Sequence, residues 1–293
     1  MFLLVASMRK SGMDEPVIVG AKGLAPEDEA VLKQFGDVSI YSLDSTKRNL
    51  TCHKPEVMLR ADTDYITWTD GDAFFTGNCS ELLPPEEPGA IHIRQRAPEE
   101  NIMAFVGHNF GEDGKSFPKA ILEQWQKDVN GNDKPAYLQA CSACFLSVHR
   151  NSRIFLEKWH KQIQFILPKR NVGVTDKKLT YYHQLDESVL NSLLYFYPHA
   201  PKVSGTFKLN KDYKHCYIHF AGSPKPWMSW IPSSITHFDQ YVDVVEYVVA
   251  QRYKLPSRVP FSLKRKNKFL CQLLARPMQI RAKILNQLKK LSK

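Results

Sequence analysis

The chain carries two carboxylates one residue apart, Asp70 and Asp72, directly behind the run Tyr65-Ile66-Thr67-Trp68-Thr69. That run is β-branched and aromatic, the composition of a half-buried strand, so the two acids fall at a strand end. Carboxylates held this close repel unless a cation or a proton sits between them. A hard divalent ion such as Mn²⁺ or Mg²⁺ takes oxygen ligands of this kind and completes its shell with substrate phosphates. Gly71 between the acids is expected to let the backbone turn sharply. Asp-Gly is also ordinary turn chemistry, so the pair needs company before it signifies a site.

A second segment supplies that company: His219-Phe220-Ala221-Gly222-Ser223-Pro224-Lys225-Pro226-Trp227, behind the apolar Tyr217-Ile218. An imidazole at a strand end adds a nitrogen ligand to an oxygen-bound metal. Gly222 permits close backbone approach to a ligand, Lys225 is a point charge suited to phosphate, and Trp227 offers a rigid wall. Between the two segments, Leu185-Asp186-Glu187-Ser188-Val189-Leu190-Asn191 places two acids at a helix start. The helix dipole favours acids there whether or not they act.

Taken in order, these three segments resemble the signature of GT-A fold glycosyltransferases, specifically those similar to glycosyltransferase family 8. The resemblance runs from about residue 1 to about residue 230. It implies that Asp70, Asp72 and His219 hold Mn²⁺ (or Mg²⁺) against the diphosphate of a nucleotide sugar, a UDP-sugar foremost. Gly222 and Lys225 would contact the diphosphate, Trp227 would help close the site, and Lys54 stands where the family has a basic residue near the donor. Asp186 would lie beside the transferred sugar. Asp186 or Glu187 would face the anomeric carbon and stabilise an oxocarbenium-like transition state, as carboxylates do in glycoside hydrolysis, with retention implied by the family. The sequence departs from the pattern in three places. Met1–Gly12 already reads as the helix that follows the family's first strand, so that strand and its base-binding acid are expected to be missing. Glu187 and Ser188 replace the family's Gln and Asp, and Cys141-Ser142-Ala143 replaces an Asn-Ala-Gly-like donor contact.

The elements that must position these residues alternate between strand and helix, as an α/β domain requires. Val17–Val19, Val38–Tyr41, Tyr65–Thr69, Ala90–Ile93 and Phe145–Val148 read as strands. Pro26 with acids behind it opens a helix, and a long helix after Val148 is expected to bury Ile154, Phe155, Ile163 and Ile166. Pro168–His183 reads as a polar loop serving as lid or acceptor wall, in which Tyr181, Tyr182 and His183 could stack on a sugar. The expected fold is a GT-A-like, Rossmann-related mixed sheet flanked by helices over residues 1–255, with a basic amphipathic tail over 256–293.

With 293 residues, 43% of them hydrophobic, the chain can bury a sizeable core. It contains no apolar run long enough to span a bilayer and no charged flank or cleavage site of a secretory signal. The six cysteines lack a second ligand pair for zinc and read as reduced thiols of a cytosolic protein. Two glycosylation sequons, at Asn49 and Asn78, signify little without such a signal.

Lys264 to Lys293 holds ten basic residues and no acid, which equals the net charge of +10 and leaves the rest neutral. Phe269, Leu270, Leu273 and Leu274, then Ile280, Ile284, Leu285, Leu288 and Leu291, recur at helical spacing on either side of Pro277. Two short amphipathic helices with a basic face imply an anionic membrane surface as partner, reached through residues 264–293. No nucleic-acid-binding signature accompanies the charge. The sequence therefore points to a metal-dependent glycosyltransferase, peripheral on the cytoplasmic face of the membrane, acting on a membrane-associated glycan or glycolipid such as a polysaccharide precursor. A catalytically degenerate sugar-nucleotide or glycan-binding module is the alternative, and a membrane-surface scaffold is a third reading.

Overall fold

A computed structural model describes residues 1–43, 50–96, 117–167, 180–206 and 216–291. Helix α1 (Phe2–Lys10) leads to β1 (Val17–Ala21), α2 (Pro26–Lys33) and β2 (Val38–Ser42), and β1 and β2 pair in parallel. A 3-10 turn at Leu50–His53 runs into α3 (Lys54–Met58), followed by β3 (Tyr65–Thr69), β4 (Ala73–Phe75) and β5 (Ala90–Gln95). Then come α4 (Lys119–Val129), β6 (Cys141–His149), α5 (Arg153–Ile166), α6 (Leu185–Phe196), β7 (Lys202–Thr206) and β8 (Tyr217–His219). Helices α7 (Phe238–Ala250) and α8 (Lys268–Leu291) close the chain. The central sheet has the order β3-β6-β5-β7, antiparallel except for the parallel β5–β7 pair, and β4 and β8 form a separate antiparallel pair. The architecture is thus a mixed α/β fold with a mixed sheet flanked by helices, as the sequence implies.

One hydrophobic core lies between the central sheet and α4, α5 and α6, built around Trp125, Trp159, Leu146, Leu190 and Tyr195. A second packs α1 and β1 against β8 and α7 through Val5, Phe74, Phe220, Trp230 and Tyr241. A third, including Leu4, Phe75, Phe145 and Tyr217, sits where β4, β6 and β8 meet. The acid-bearing turn lies between the last two, so its backbone is fixed from both sides.

The structure corrects several sequence expectations. Helix α5 buries Phe155, Leu156, Trp159, Ile163 and Ile166, while Ile154 is 67% exposed. Once Phe155, Trp159 and Ile163 set the buried stripe at four-residue steps, Ile154 falls on the outer face. Tyr182 is buried and donates a hydrogen bond to Asp128 Oδ2 at 2.8 Å, so it serves the core and not an acceptor sugar. Residues 168–179 of the expected loop lie outside the described residues. The tail is one helix, not two: Pro277 sits inside α8. Proline removes one intrahelical hydrogen bond, a loss that an exposed helix offsets by hydrating the freed carbonyl. All six cysteines are free and buried, in keeping with reduced thiols.

Beyond α4 the left-handed Asn130 (φ 53°) turns the chain so that Gly131 passes against the end of α6. A Cβ on Gly131 would lie 1.9 Å from the Phe196 carbonyl oxygen, and the next residue, Asn132, donates its N–H to that same oxygen at 2.8 Å. Gly131→Ala must push α6 away from α4, and we expect a loss of about 2–4 kcal/mol in urea unfolding. Unchanged stability would mean that the two helices are free to separate.

Candidate functional site

The β4–β8 register pairs Ala73 with His219, and Phe220 N donates to the Asp72 carbonyl at 3.1 Å, so Asp72 and His219 emerge side by side. On the other flank, β3 pairs Thr69 with Phe145, and Asp70 N donates to the Cys144 carbonyl at 3.0 Å. Ala73 N closes a turn onto the Asp70 carbonyl at 3.2 Å. The two acids are thus pinned between one strand of the central sheet and one strand of the small ribbon. Gly71 does not use a left-handed conformation. Its value is a close approach instead, since a Cβ there would come within 3.2 Å of Met1 Cε. Gly222 does require a positive φ, of 84°, where the chain leaves β8.

Side-chain ligand atoms of Asp70, Asp72 and His219 lie within 4.8 Å of one another. His219 Nε2 is 3.1 Å from Asp72 Oδ1 and 3.8 Å from Asp70 Oδ2. Lys225 donates to Asp72 Oδ2 and, at 2.6 Å, to the Phe220 carbonyl. Trp68 Nε1 donates to Asp70 Oδ1 at 2.9 Å. Two carboxylates and an imidazole converging at strand ends form the mixed oxygen and nitrogen donor set that a divalent ion accepts, and the residues fit the metal that the sequence implies.

Behind this triad stands a buried ion network. Lys54, at the start of α3, lies 2.8 Å from Asp70 Oδ1 and 2.9 Å from Asp186 Oδ2, and donates to the Ala143 carbonyl at 2.9 Å. An ammonium has three donors, and these three acceptors use them. Asp186 and Glu187 occupy the first turn of α6, both buried. Glu187 Oε1 accepts from Arg96 Nη2 at 2.6 Å and Nε at 3.1 Å, and Oε2 accepts from Ala143 N at 3.2 Å. No hydrogen bond reaches Asp186 Oδ1 among the described residues. Asn191, one turn further along α6, brackets Cys141 by accepting from its N–H and donating to its carbonyl, both at 2.8 Å. The Cys141–Ala143 stretch therefore presents backbone donors and acceptors to α6 and α3.

The sequence-named residues Lys54, Asp70, Asp72, Asp186, His219 and Lys225 fall into one connected cluster, joined by Glu187 through Ala143. Trp227 stands two residues beyond Lys225, 38% exposed, at the rim of an apolar cavity that Gly71 also lines. Arg96 escapes a reading of the sequence. It follows β5 and reaches the site because a register shift between Ile93 and Arg94 brings Gln95 opposite Cys141, and Arg96 N donates to the Ala140 carbonyl at 2.7 Å. The Cys144 thiol also lies against His219. The only local hint of it is its position one strand over from Asp70.

The electrostatics follow from burial and pairing. Burial acts to raise the Asp72 carboxyl and to lower the His219 imidazole and the Lys54 ammonium. Pairing wins in each case. His219 and Lys225 hold Asp72 well below the usual carboxylate range, Asp72 and Cys144 push His219 up to about 10, and Asp186 and Asp70 raise Lys54.

No protein-family model and no curated protein matches the chain. Solved structures do. The apo structure of the bifunctional glycosyltransferase WbbM superposes with a TM-score of 0.52 at 16% identity, over 83% of this chain and 46% of that one. This is a likeness of fold, and the chain spans just under half the length of WbbM. An active-site mutant of LgtC (TM-score 0.47, 11% identity, 88% of this chain and 93% of that one) superposes more loosely. So does a glycosyltransferase involved in glycosylation of the major capsid of PBCV-1 (0.39, 10%, 79% and 100%).

His219 has its pKa raised from 6.5 to about 10 by its partners. The stabilisation this pairing contributes is complete below pH 6.5 and disappears as pH rises through about 10. We expect His219→Gln to cost about 2 kcal/mol at pH 6, the worth of a charged hydrogen bond. The gap to wild type in urea unfolding should close between pH 7 and 10. A gap that widens with pH would contradict the charged pair.

Proposed function

We propose that the protein transfers a sugar from a nucleoside-diphosphate sugar, a UDP-sugar foremost, to a membrane-associated glycan or glycolipid. The observation that carries this reading is the convergence of Asp70, Asp72 and His219 beside Lys225 and the paired acids of α6, on a fold shared with a glycosyltransferase. Asp70, Asp72 and His219 would hold Mn²⁺ or Mg²⁺, which supplies Lewis-acid stabilisation of the departing diphosphate. Lys225 and the Gly222 turn bind the phosphates, and Trp227 covers them.

Of the two acids in α6, Asp186 is the one we assign to face the anomeric carbon, a reading supported by what each carboxylate is bonded to. Both oxygens of Glu187 are taken by Arg96 and Ala143, whereas Oδ1 of Asp186 is not hydrogen-bonded among the described residues. Lys54 pairs with Oδ2 of Asp186 at 2.9 Å, which leaves Oδ1 to meet developing positive charge. Glu187, with its charge met by Arg96, orients the backbone around it.

No helix among the described residues is long and apolar enough to cross a membrane. The reading of residues 264–293 as a surface-binding tail, with 1–255 as the catalytic domain, is supported by what α8 leaves exposed. Cys271 and Ala275 are buried, while Phe269, Leu270, Leu273, Ile280, Ile284 and Leu285 are all at least 43% exposed. Among the described residues, Arg265 pairs with Asp243 and Glu246 of α7, and Lys268 with Asp239, so both are committed to the body. Arg276 and Arg281 are exposed and available to anionic headgroups. Such a tail would hold the enzyme on the cytoplasmic face of the membrane.

Two outcomes are expected. Wild-type protein with Mn²⁺ releases UDP slowly from one member of a panel of UDP- and GDP-sugars. Asp72→Ala abolishes this, and Asp186→Asn slows it by about a hundredfold or more. Silence across the panel with nucleotide binding intact would favour a noncatalytic binding module. Separately, Arg276→Gln with Arg281→Gln should weaken flotation with phosphatidylglycerol-containing vesicles by about 2 kcal/mol, near 1 kcal/mol per charge. Equal flotation would assign α8 to another partner.

A further inference from the structure

Asp72 holds two partners at once. His219 Nε2 lies 3.1 Å from Oδ1, and Lys225 Nζ contacts Oδ2 while also donating to the Phe220 carbonyl at 2.6 Å. Asp70 differs: its Oδ1 is engaged by Lys54 and Trp68, and its Oδ2 is 3.8 Å from His219. A divalent ion seated among Asp70, Asp72 and His219 would therefore share the Asp72 carboxylate with the Lys225 ammonium. Two cations on one small anion repel strongly in a partly buried site. The repulsion is relieved when a second anion gives the ammonium somewhere to go. Lysine is suited to such a move: its charge rides on a flexible four-carbon stem, and it binds phosphate as a point charge. Lys225 stands three residues beyond Gly222, on the turn that the positive φ of that glycine creates.

We infer that Lys225 is a charge gate that couples metal binding to diphosphate binding. While Lys225 rests on Asp72, it opposes a divalent ion bound alone. When a diphosphate arrives with the ion, Lys225 transfers from the carboxylate to the phosphate oxygens, so each ligand strengthens the other. This inference rests on the metal–diphosphate reading of the site and adds to it a direction: the residue that helps bind the nucleotide hinders the bare metal. Coupling between two ligands is reciprocal, so the effect is visible from either side.

The test measures free Mn²⁺ by electron paramagnetic resonance in titrations of wild type, Lys225→Met and Lys225→Arg, each with and without saturating UDP. Wild type should bind Mn²⁺ at least tenfold more tightly with UDP than without, within the usual span of coupling between sites. Lys225→Met should bind Mn²⁺ alone several-fold more tightly than wild type does and lose most of the gain from UDP. Lys225→Arg, which keeps the charge, should retain the coupling. A purely structural role for Lys225 would weaken Mn²⁺ binding with and without UDP alike, and that result, or undiminished coupling in Lys225→Met, overturns the gate. Failure of wild type to bind Mn²⁺ even with UDP overturns the metal–diphosphate reading itself, and the gate with it.

Discussion

The rest of the site depends on a buried ammonium. Lys54 joins α3 to the turn behind β3 through Asp70, to α6 through Asp186, and to β6 through the Ala143 carbonyl. Burying a lone lysine would be strongly unfavourable, and so would burying Asp186 without it. Each makes the other tolerable, and together they fix the distance between the strand that carries the first acid and the helix that carries the third. Glu187 and Arg96 repeat the arrangement one residue along. Four carboxylates, Asp70, Asp72, Asp186 and Glu187, are thus set against Lys54, Arg96, Lys225 and His219.

This balance gives the site its character. Acids so well compensated do not attract cations indiscriminately, and a ligand that brings its own opposite charges, such as a metal diphosphate, leaves the balance nearly undisturbed. The rigidity of the surrounding strands matters for the same reason. Asp70 and Asp72 are held by main-chain hydrogen bonds to β6 and to Phe220 just past β8, so their side chains keep their spacing while Lys225, on its longer stem, does the adjusting.

Much of this was legible from the sequence because it is local. The strand before Asp70, the acids in the first turn of α6 and the helix opened by Pro26 each follow from a few neighbouring residues. What escaped depends on distant pairing. Arg96 meets Glu187 across 91 residues, by way of an irregularity in the β5–β6 register that no local pattern announces. The short strand β4, three residues long, is too brief to show a period. Ile154 was misassigned for a related reason: one apolar residue at a helix start fits either face until the partner sheet is in place. Pro277 misled because proline is read as a helix breaker, whereas an exposed helix tolerates it.

The most direct test of the central claim is anomalous X-ray scattering from crystals grown with Mn²⁺ and UDP. We expect a single strong manganese peak within coordination distance of Asp70, Asp72 and His219 Nε2, with the diphosphate on its open side. We also expect Lys54 to stay bonded to Asp70 and Asp186. A manganese peak elsewhere, or a diphosphate bound away from the triad, would contradict the claim.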